Sequence, residues 1–296
     1  MAFLTLAVGC APRVDFTPKP SRGDVYEQAR TMSLNLFGMA FFVTENVRYE
    51  ERLIGVDEQY LDLEFVPMEY QITSTGPDGT REIYGTALLE QGGENLDVAF
   101  LRSYVGKTVR VRALRSGEVE KLTLEGKLSD YHLEGVTPEL LQQTAQEILE
   151  RTFIGPHIMM THSILPAKAI APGKTYRPVG QILKTEEEAP EAMMQVQSVD
   201  EDGQAVIVMD PESISEVFDA AARAMRWPEA LEGKVDLAGD GEGRFIYDTR
   251  SHQITSAKVR LSAKPIVTRD SETAAELFRF NVSIAVNKVG ETTPNP

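Results

Sequence analysis

Cysteine is nearly absent from this chain of 296 residues, because Cys10 is the only one. A single cysteine excludes an intramolecular disulfide framework and a cysteine-rich zinc site. Histidine is scarce too, with four residues, and neither a His-Glu-x-x-His nor a Gly-x-Ser-x-Gly motif occurs. The sequence therefore predicts no catalytic residue, no metal site and no cofactor, and an enzyme is the less favoured class.

Positive charge is in short supply. The chain has 30 basic against 45 acidic residues, a formal net charge of −15 at pH 7. Such a field repels phosphate backbones and anionic headgroups. Nucleic acid is therefore excluded as a partner, and so is charge-driven binding to a membrane surface. The acidity itself is typical of a soluble protein.

Long hydrophobic runs are also missing. A membrane-spanning helix needs about 20 apolar residues, and the densest run, residues 34–43 (LNLFGMAFFV), has about half that length. This run is predicted to be a strand buried on both faces. Any membrane attachment must therefore come from the first residues of the chain.

Those first residues contain a short apolar stretch, residues 2–8, followed by Gly9 and Cys10. The stretch resembles the lipobox of bacterial lipoprotein signal peptides, although Ala7 stands where leucine is usual and no Lys or Arg precedes it. The resemblance implies that residues 1–10 are a signal remnant and that the Cys10 thiol receives a lipid. The protein would then be exported and anchored in the bacterial cell envelope. The alternatives are export of another kind and a cytoplasmic protein whose N-terminus is a short buried strand.

Proline is concentrated directly after this stretch. Residues 11–20 (APRVDFTPKP) carry three prolines, which indicates an extended tether rather than core. The tether would hold the folded part of the chain away from the membrane.

Strand patterns dominate the rest of the chain and predict a mainly β (α+β) fold. Residues 60–66 (YLDLEFV) and 278–286 (FRFNVSIAV) alternate apolar and polar side chains, as half-buried antiparallel strands do. Turn residues at 77–79, 116–117 and 202–203 separate other β-rich runs. The predicted architecture is antiparallel sheets in two related lobes.

Two amphipathic helices interrupt the strands. The first is predicted over residues 137–156, opened by Thr137-Pro138 and stopped by Gly155-Pro156. The second covers residues 211–227, between Asp210-Pro211 and Pro228, with an apolar stripe on one side.

A weak internal repeat supports the two lobes. GDVY at 23–26 corresponds to GKTY at 173–176, and similar pairs of segments begin at 56 and 199 and at 106 and 243. The alternative is chance similarity between hairpins. The predicted organisation is lobe 1 over 21–136, the connecting helix, lobe 2 over 157–290 with its own helix, and a tail at 291–296.

At Gly23 to Tyr26, Gly106 to Val119 and Pro172 to Tyr176 the chain resembles a family of uncharacterised exported bacterial lipoproteins with a duplicated β-rich domain of unknown function. The resemblance covers about a third of the chain. It implies a β-rich architecture and an envelope location, and it implies no catalytic residue.

His157 and His162 are the histidines closest to each other, five residues apart. On a strand they would face opposite sides, and on an α-helix five residues do not bring side chains together. They are therefore predicted not to share a metal ion. The glycine-rich run GDGEG at 239–243 is predicted to be a flexible surface turn.

Three function hypotheses follow. The leading one is a lipid-anchored, non-enzymatic envelope protein that binds an apolar ligand or a partner protein. Weak ligand-binding candidates are Phe218, Met225 and Trp227 on the second helix, because methionine and tryptophan often receive apolar molecules. The alternatives are a structural or assembly lipoprotein without a small-molecule ligand, and a hydrolase whose site is dispersed in the sequence.

Overall fold

Antiparallel strand pairing organises the chain, as its alternating pattern predicts. The computed structural model describes residues 13–21, 23–36, 39–85, 104–125, 143, 146–179, 193–210, 213, 234–269, 273–276 and 278–291. Within these ranges thirteen strands form one sheet, and every strand pair is antiparallel. The prediction of a mainly β fold is confirmed.

The strands are β1 (Asp24–Leu36), β2 (Met39–Val56), β3 (Tyr60–Thr75), β4 (Arg81–Gly85), β5 (Val109–Leu114), β6 (Val119–Leu124), β7 (Thr175–Tyr176), β8 (Met194–Val199), β9 (Gln204–Met209), β10 (Lys234–Asp248), β11 (Gln253–Arg269), β12 (Thr273–Glu276) and β13 (Phe278–Glu291). Their order across the sheet is β6-β5-β3-β2-β1-β13-β11-β10-β9-β8-β7, with β4 beside β3 and β12 beside β11. The first and last strands are thus neighbours at the centre. The predicted lobes fall on either side of this β1–β13 seam, and their relatedness stays a prediction.

Local sequence patterns correctly predicted the buried face of β3 and the positions of the hairpin turns. In β3, Leu61, Leu63 and Phe65 are buried, as the alternation predicts. Each predicted turn connects consecutive strands, and Gly117, between β5 and β6, has a φ of 94°. Such a backbone conformation suits glycine because it has no Cβ.

Two predictions about strands were wrong. Residues 34–43 are not one buried strand, because β1 ends and β2 begins within them and Phe41 and Phe42 are exposed. Residues 239–243 are not a surface turn, because they lie in β10. Glycine and acidic residues alternate there, so the glycines share one face and the charges share the other.

One helix lies on the sheet, and we label its described stretch, residues 146–163, α1. It contains a π-helical segment Glu150–Ile154, an α-helical segment Gly155–Ile158 and a second π-helical segment Met159–Ser163. The prediction that Gly155-Pro156 stops the helix was wrong. Proline disrupts an α-helix through its ring and its missing N–H, but here Pro156 lies just after a wider π turn and the helix continues. The predicted helix 211–227 lies almost entirely outside the described residues.

The hydrophobic core lies between α1 and one face of the sheet, which we call the inner face. Phe153, Ile154 and Ile158 of α1 are fully buried against inward residues such as Tyr49 of β2 and Phe65 of β3. Among the helices in the described ranges, none is long and apolar enough to cross a bilayer.

We predict that Gly155→Ala destabilises the protein. A Cβ at Gly155 would lie 2.8 Å from the carbonyl oxygen of Glu150, which accepts the Gly155 N–H. Relieving this overlap should cost about 1–3 kcal/mol of the free energy of unfolding, more than the roughly 1 kcal/mol gained in helix propensity. Urea unfolding measures the difference.

The matched control is Gly290→Ala in β13, where an added Cβ meets no atom within 4 Å. Its unfolding midpoint should stay unchanged or rise slightly, since alanine suits a strand better than glycine. Equal midpoints for Gly155→Ala and the natural protein would contradict the described π turn.

Candidate functional site

The π turns of α1 bring two histidines together. His157 lies in the α-helical segment, and His162 lies in the π-helical segment that follows. Because hydrogen bonds in a π-helix join residues five apart, side chains at that spacing lie on the same side of the helix. Their ring centres are 6.0 Å apart. The prediction that these histidines cannot converge was therefore wrong, since it considered only strands and α-helices.

Strand β2 supplies the group on which they converge. Alternation along β2 turns Tyr49, Glu51 and Leu53 inward, and all three are buried. Glu51 Oε2 accepts a hydrogen bond from His157 Nε2, and Glu51 Oε1 lies 3.1 Å from His162 Nε2. Each imidazole thus contacts a different oxygen of the same buried carboxylate.

Aromatic rings enclose this cluster. The Tyr49 hydroxyl lies 2.5 Å from His157 Nδ1, on the side of the ring away from Glu51. The rings of Tyr26 and Phe65 also contact the His157 imidazole edge-on. His157 is fully buried, whereas His162 keeps a small exposed fraction. His162 is therefore the member of the cluster nearest to solvent.

The protonation of the cluster follows from burial and mutual contact. Burial alone would raise the pKa of Glu51, but the two histidines outweigh it and hold this pKa well below its ordinary value. Burial lowers the pKa of His157, although Glu51 opposes the shift. Burial, with the nearby Glu51 charge, raises the pKa of Tyr49. At neutral pH Glu51 is thus ionised and Tyr49 protonated, so the Tyr49 hydroxyl can donate to Nδ1 while His157 Nε2–H donates to the carboxylate.

The inner face also carries an apolar surface, which lies beyond the end of the hydrophobic core. Cross-strand partners share a face, and they define two rows of inward residues running from β2 to β10. The outer row is Phe41, Leu34, Phe280, Ala263 and Gly239, and the second row is Val43, Met32, Val282, Leu261 and Gly241. We call these ten residues the apolar rows. Five strands at about 4.8 Å spacing make them about 19 Å wide.

Burial decreases across these rows away from the core. Val47 and Val286, one row inside the pair Arg30 and Glu45, are buried. Val43, Met32 and Val282 are half-buried. At the outer row, Phe41 is 37% exposed and Phe280 is 38% exposed. The inner face therefore presents a contiguous, partly exposed apolar surface, of the kind that marks binding sites.

An ion pair borders the apolar rows on β1 and β2, whereas Leu261 and Ala263 on β11 pack against the core. Arg30 on β1 faces Glu45 on β2, with Arg30 Nη2 2.5 Å from Glu45 Oε2. Both side chains are mostly buried on the inner face, where a charge is costly unless it is paired. On these two strands the pair gives the apolar surface a polar boundary at its inner end.

The opposite, outer face is mostly polar at the same level of the sheet, although Phe42 is exposed there. A cavity of about 460 Å³ there is bordered by polar side chains such as Thr31, Ser33 and Arg260, and also by Gly241, Leu261 and Val282.

The residues predicted from the sequence as sites fall outside the described ranges. Cys10 lies before the first of them, and Phe218, Met225 and Trp227 lie between residues 214 and 233. Their roles stay predictions. Sequence reasoning missed Glu51, although one signal was available: Tyr49, Glu51 and Leu53 alternate, so a carboxylate occupies an inward position.

Together, the sheet and helix define a mainly antiparallel β protein with a buried Glu-His-His cluster and an adjoining apolar surface. No family model and no curated protein matches the chain. Among solved structures it is similar to DynF from the dynemicin biosynthesis pathway of Micromonospora chersina, with 9% identity over 97% of this chain and 88% of that one, at a TM-score of 0.21. A DUF1329 family protein from Desulfovibrio piger shares 8% identity over 90% of this chain and 87% of that one, at a TM-score of 0.16. At these scores neither likeness carries an argument about function.

Proposed function

We propose that the protein is a lipid-anchored, non-enzymatic envelope protein that binds an acyl chain on the apolar rows. The observation that carries this proposal is the contiguous apolar surface on the inner face, where Phe41 and Phe280 are exposed and the Arg30–Glu45 pair forms the boundary on β1 and β2. Covering such a surface is favourable by about 25 cal/mol for each Å² of apolar area removed from water.

The glycines of β10 favour a chain-like ligand. Gly239 and Gly241 stand at the ends of the apolar rows and carry no side chain, whereas every other member of the rows has one. The bulkier Phe280 and Val282 of β13 stand two strands away. A flexible acyl chain can follow side chains of such unequal size more readily than a rigid, flat molecule can.

The chemistry of the surface supports binding rather than catalysis. The apolar rows contain only Phe, Leu, Ala, Gly, Val and Met, so no member can act as an acid, base or nucleophile. Glu51 and His157 do carry reactive groups, but both are buried under aromatic rings. A hydrolase reaction at that cluster would need an access path for its substrate.

Equilibrium binding of radiolabelled palmitate tests the ligand. The full chain carrying Cys10→Ser, which prevents acylation, should bind palmitate saturably, with about one palmitate per chain. Emission from Trp227, the only tryptophan, should change over the same range if the second helix contributes. Absence of saturable binding, together with self-association of the protein, would instead favour a protein-docking surface.

Membrane attachment through Cys10 is a separate prediction. In bacteria that express the full chain, labelled palmitate should be incorporated and the protein should fractionate with membranes. Cys10→Ala removes the only thiol, so label and membrane association should both be lost. Unchanged fractionation of Cys10→Ala would contradict the anchor without affecting the ligand proposal.

A further inference from the structure

We propose that Glu51, His157 and His162 form a binding site for a divalent transition-metal ion, with zinc the best match. The three side chains offer ligand atoms that all lie within 4.8 Å of one another. They come from two elements, β2 and α1, so the ion would join the helix to the sheet. This inference does not depend on the proposed ligand.

The donor set is the first argument. Two imidazole nitrogens and one carboxylate oxygen are a recurrent zinc set, in which a water molecule completes a tetrahedron. Both histidines direct the same atom, Nε2, towards Glu51. A set of hard oxygen ligands would instead have indicated calcium or magnesium.

The groups behind the ligands are the second argument. Histidines that bind a metal through one nitrogen usually engage the other in a hydrogen bond that orients the ring. Tyr49 occupies this position, with its hydroxyl 2.5 Å from His157 Nδ1. With the metal on Nε2, His157 would carry its proton on Nδ1 and donate it to the Tyr49 oxygen.

Backbone geometry and buried charge are the third argument. The π-helix is rare and is frequently found at functional sites, and here it is what places His162 beside His157. The cluster also keeps a carboxylate inside an aromatic core, where an anion is costly. A divalent cation held by the same carboxylate and imidazoles would compensate that charge directly.

The test uses the untagged full chain carrying Cys10→Ser, so that neither a tag nor a thiol binds metal. The protein is unfolded with chelator and refolded with ZnCl₂, which allows the ion to reach a buried site. It is then gel-filtered and its zinc content measured. We expect about one zinc per chain and a higher unfolding temperature than for protein refolded without metal. Co²⁺ in place of zinc should give the visible absorption of a tetrahedral site.

Variants locate the site. His162→Gln alters the most accessible ligand and should abolish stoichiometric zinc, while Tyr49→Phe should weaken affinity about 10–100-fold. The control is His252→Asn, outside the cluster, since asparagine tolerates the positive φ of 57° at this position. Circular dichroism checks that each variant is folded.

Two results would overturn the proposal. One is a natural chain that refolds to its native spectrum without retaining zinc. The other is a folded His162→Gln variant that retains as much zinc as His252→Asn. In either case the cluster would be a hydrogen-bonded network only.

Discussion

Replacing Glu51 by alanine should lower the free energy of unfolding by about 3–5 kcal/mol, the range for losing one partner of a buried ionic network. The change leaves the Nε2–H groups of His157 and His162 without their acceptor inside the core. It also leaves a cavity between β2 and α1. Because whole domains are stable by only about 5–15 kcal/mol, this single change should remove a large share of the stability.

The measurement is urea unfolding at pH 7 in the presence of a chelator, so that metal binding does not contribute. Glu64→Ala is the matched control, because Glu64 pairs with the exposed Arg110 on the neighbouring strand β5. Surface pairs of this kind contribute about 1 kcal/mol or less. A loss below 1 kcal/mol for Glu51→Ala would show that Glu51 does not lie in the described network.

The second large effect concerns ligand affinity. Phe41 and Phe42 are neighbours in β2, exposed by 37% and 47%, and they lie on opposite faces of the sheet. Phe41→Asp places a charge in the outer apolar row beside Leu34. We expect palmitate to bind at least about tenfold more weakly, a loss of about 1.4 kcal/mol.

Phe42→Asp is the internal control, because it makes the same substitution in the same strand on the polar face. Phe42 pairs with Ser33 and Thr75, so affinity should change less than about twofold. Equal losses in the two variants would indicate a general effect of charge on β2 and would contradict binding on the apolar rows.

Much of the fold could be predicted from local patterns. The alternation at Leu61, Leu63 and Phe65 determines which face of β3 is buried, and Gly117 permits the turn that follows β5. These features depend on residues that are near one another in the chain. For that reason the mainly antiparallel architecture was predictable from a single sequence.

The candidate sites depend on long-range packing and were less accessible. Glu51 and His157 are 106 residues apart, so no local pattern connects them. The π turns that unite His157 with His162 form within the packed core, whereas spacing rules assume regular α-helices or strands. The alternating glycines of β10 predict a turn because glycine is common in turns, although their period of two also fits a strand.

The measurement that tests the central claim most directly is photolabelling with a palmitate analogue that carries a photoreactive group along its chain. The label should attach to residues of the apolar rows, such as Phe41 and Phe280, or to the neighbouring Met39, and excess palmitate should prevent it. Peptide mass spectrometry identifies the labelled positions. Label confined to the outer face, at Phe42 or the polar cavity near Thr31, would contradict acyl-chain binding on the inner face.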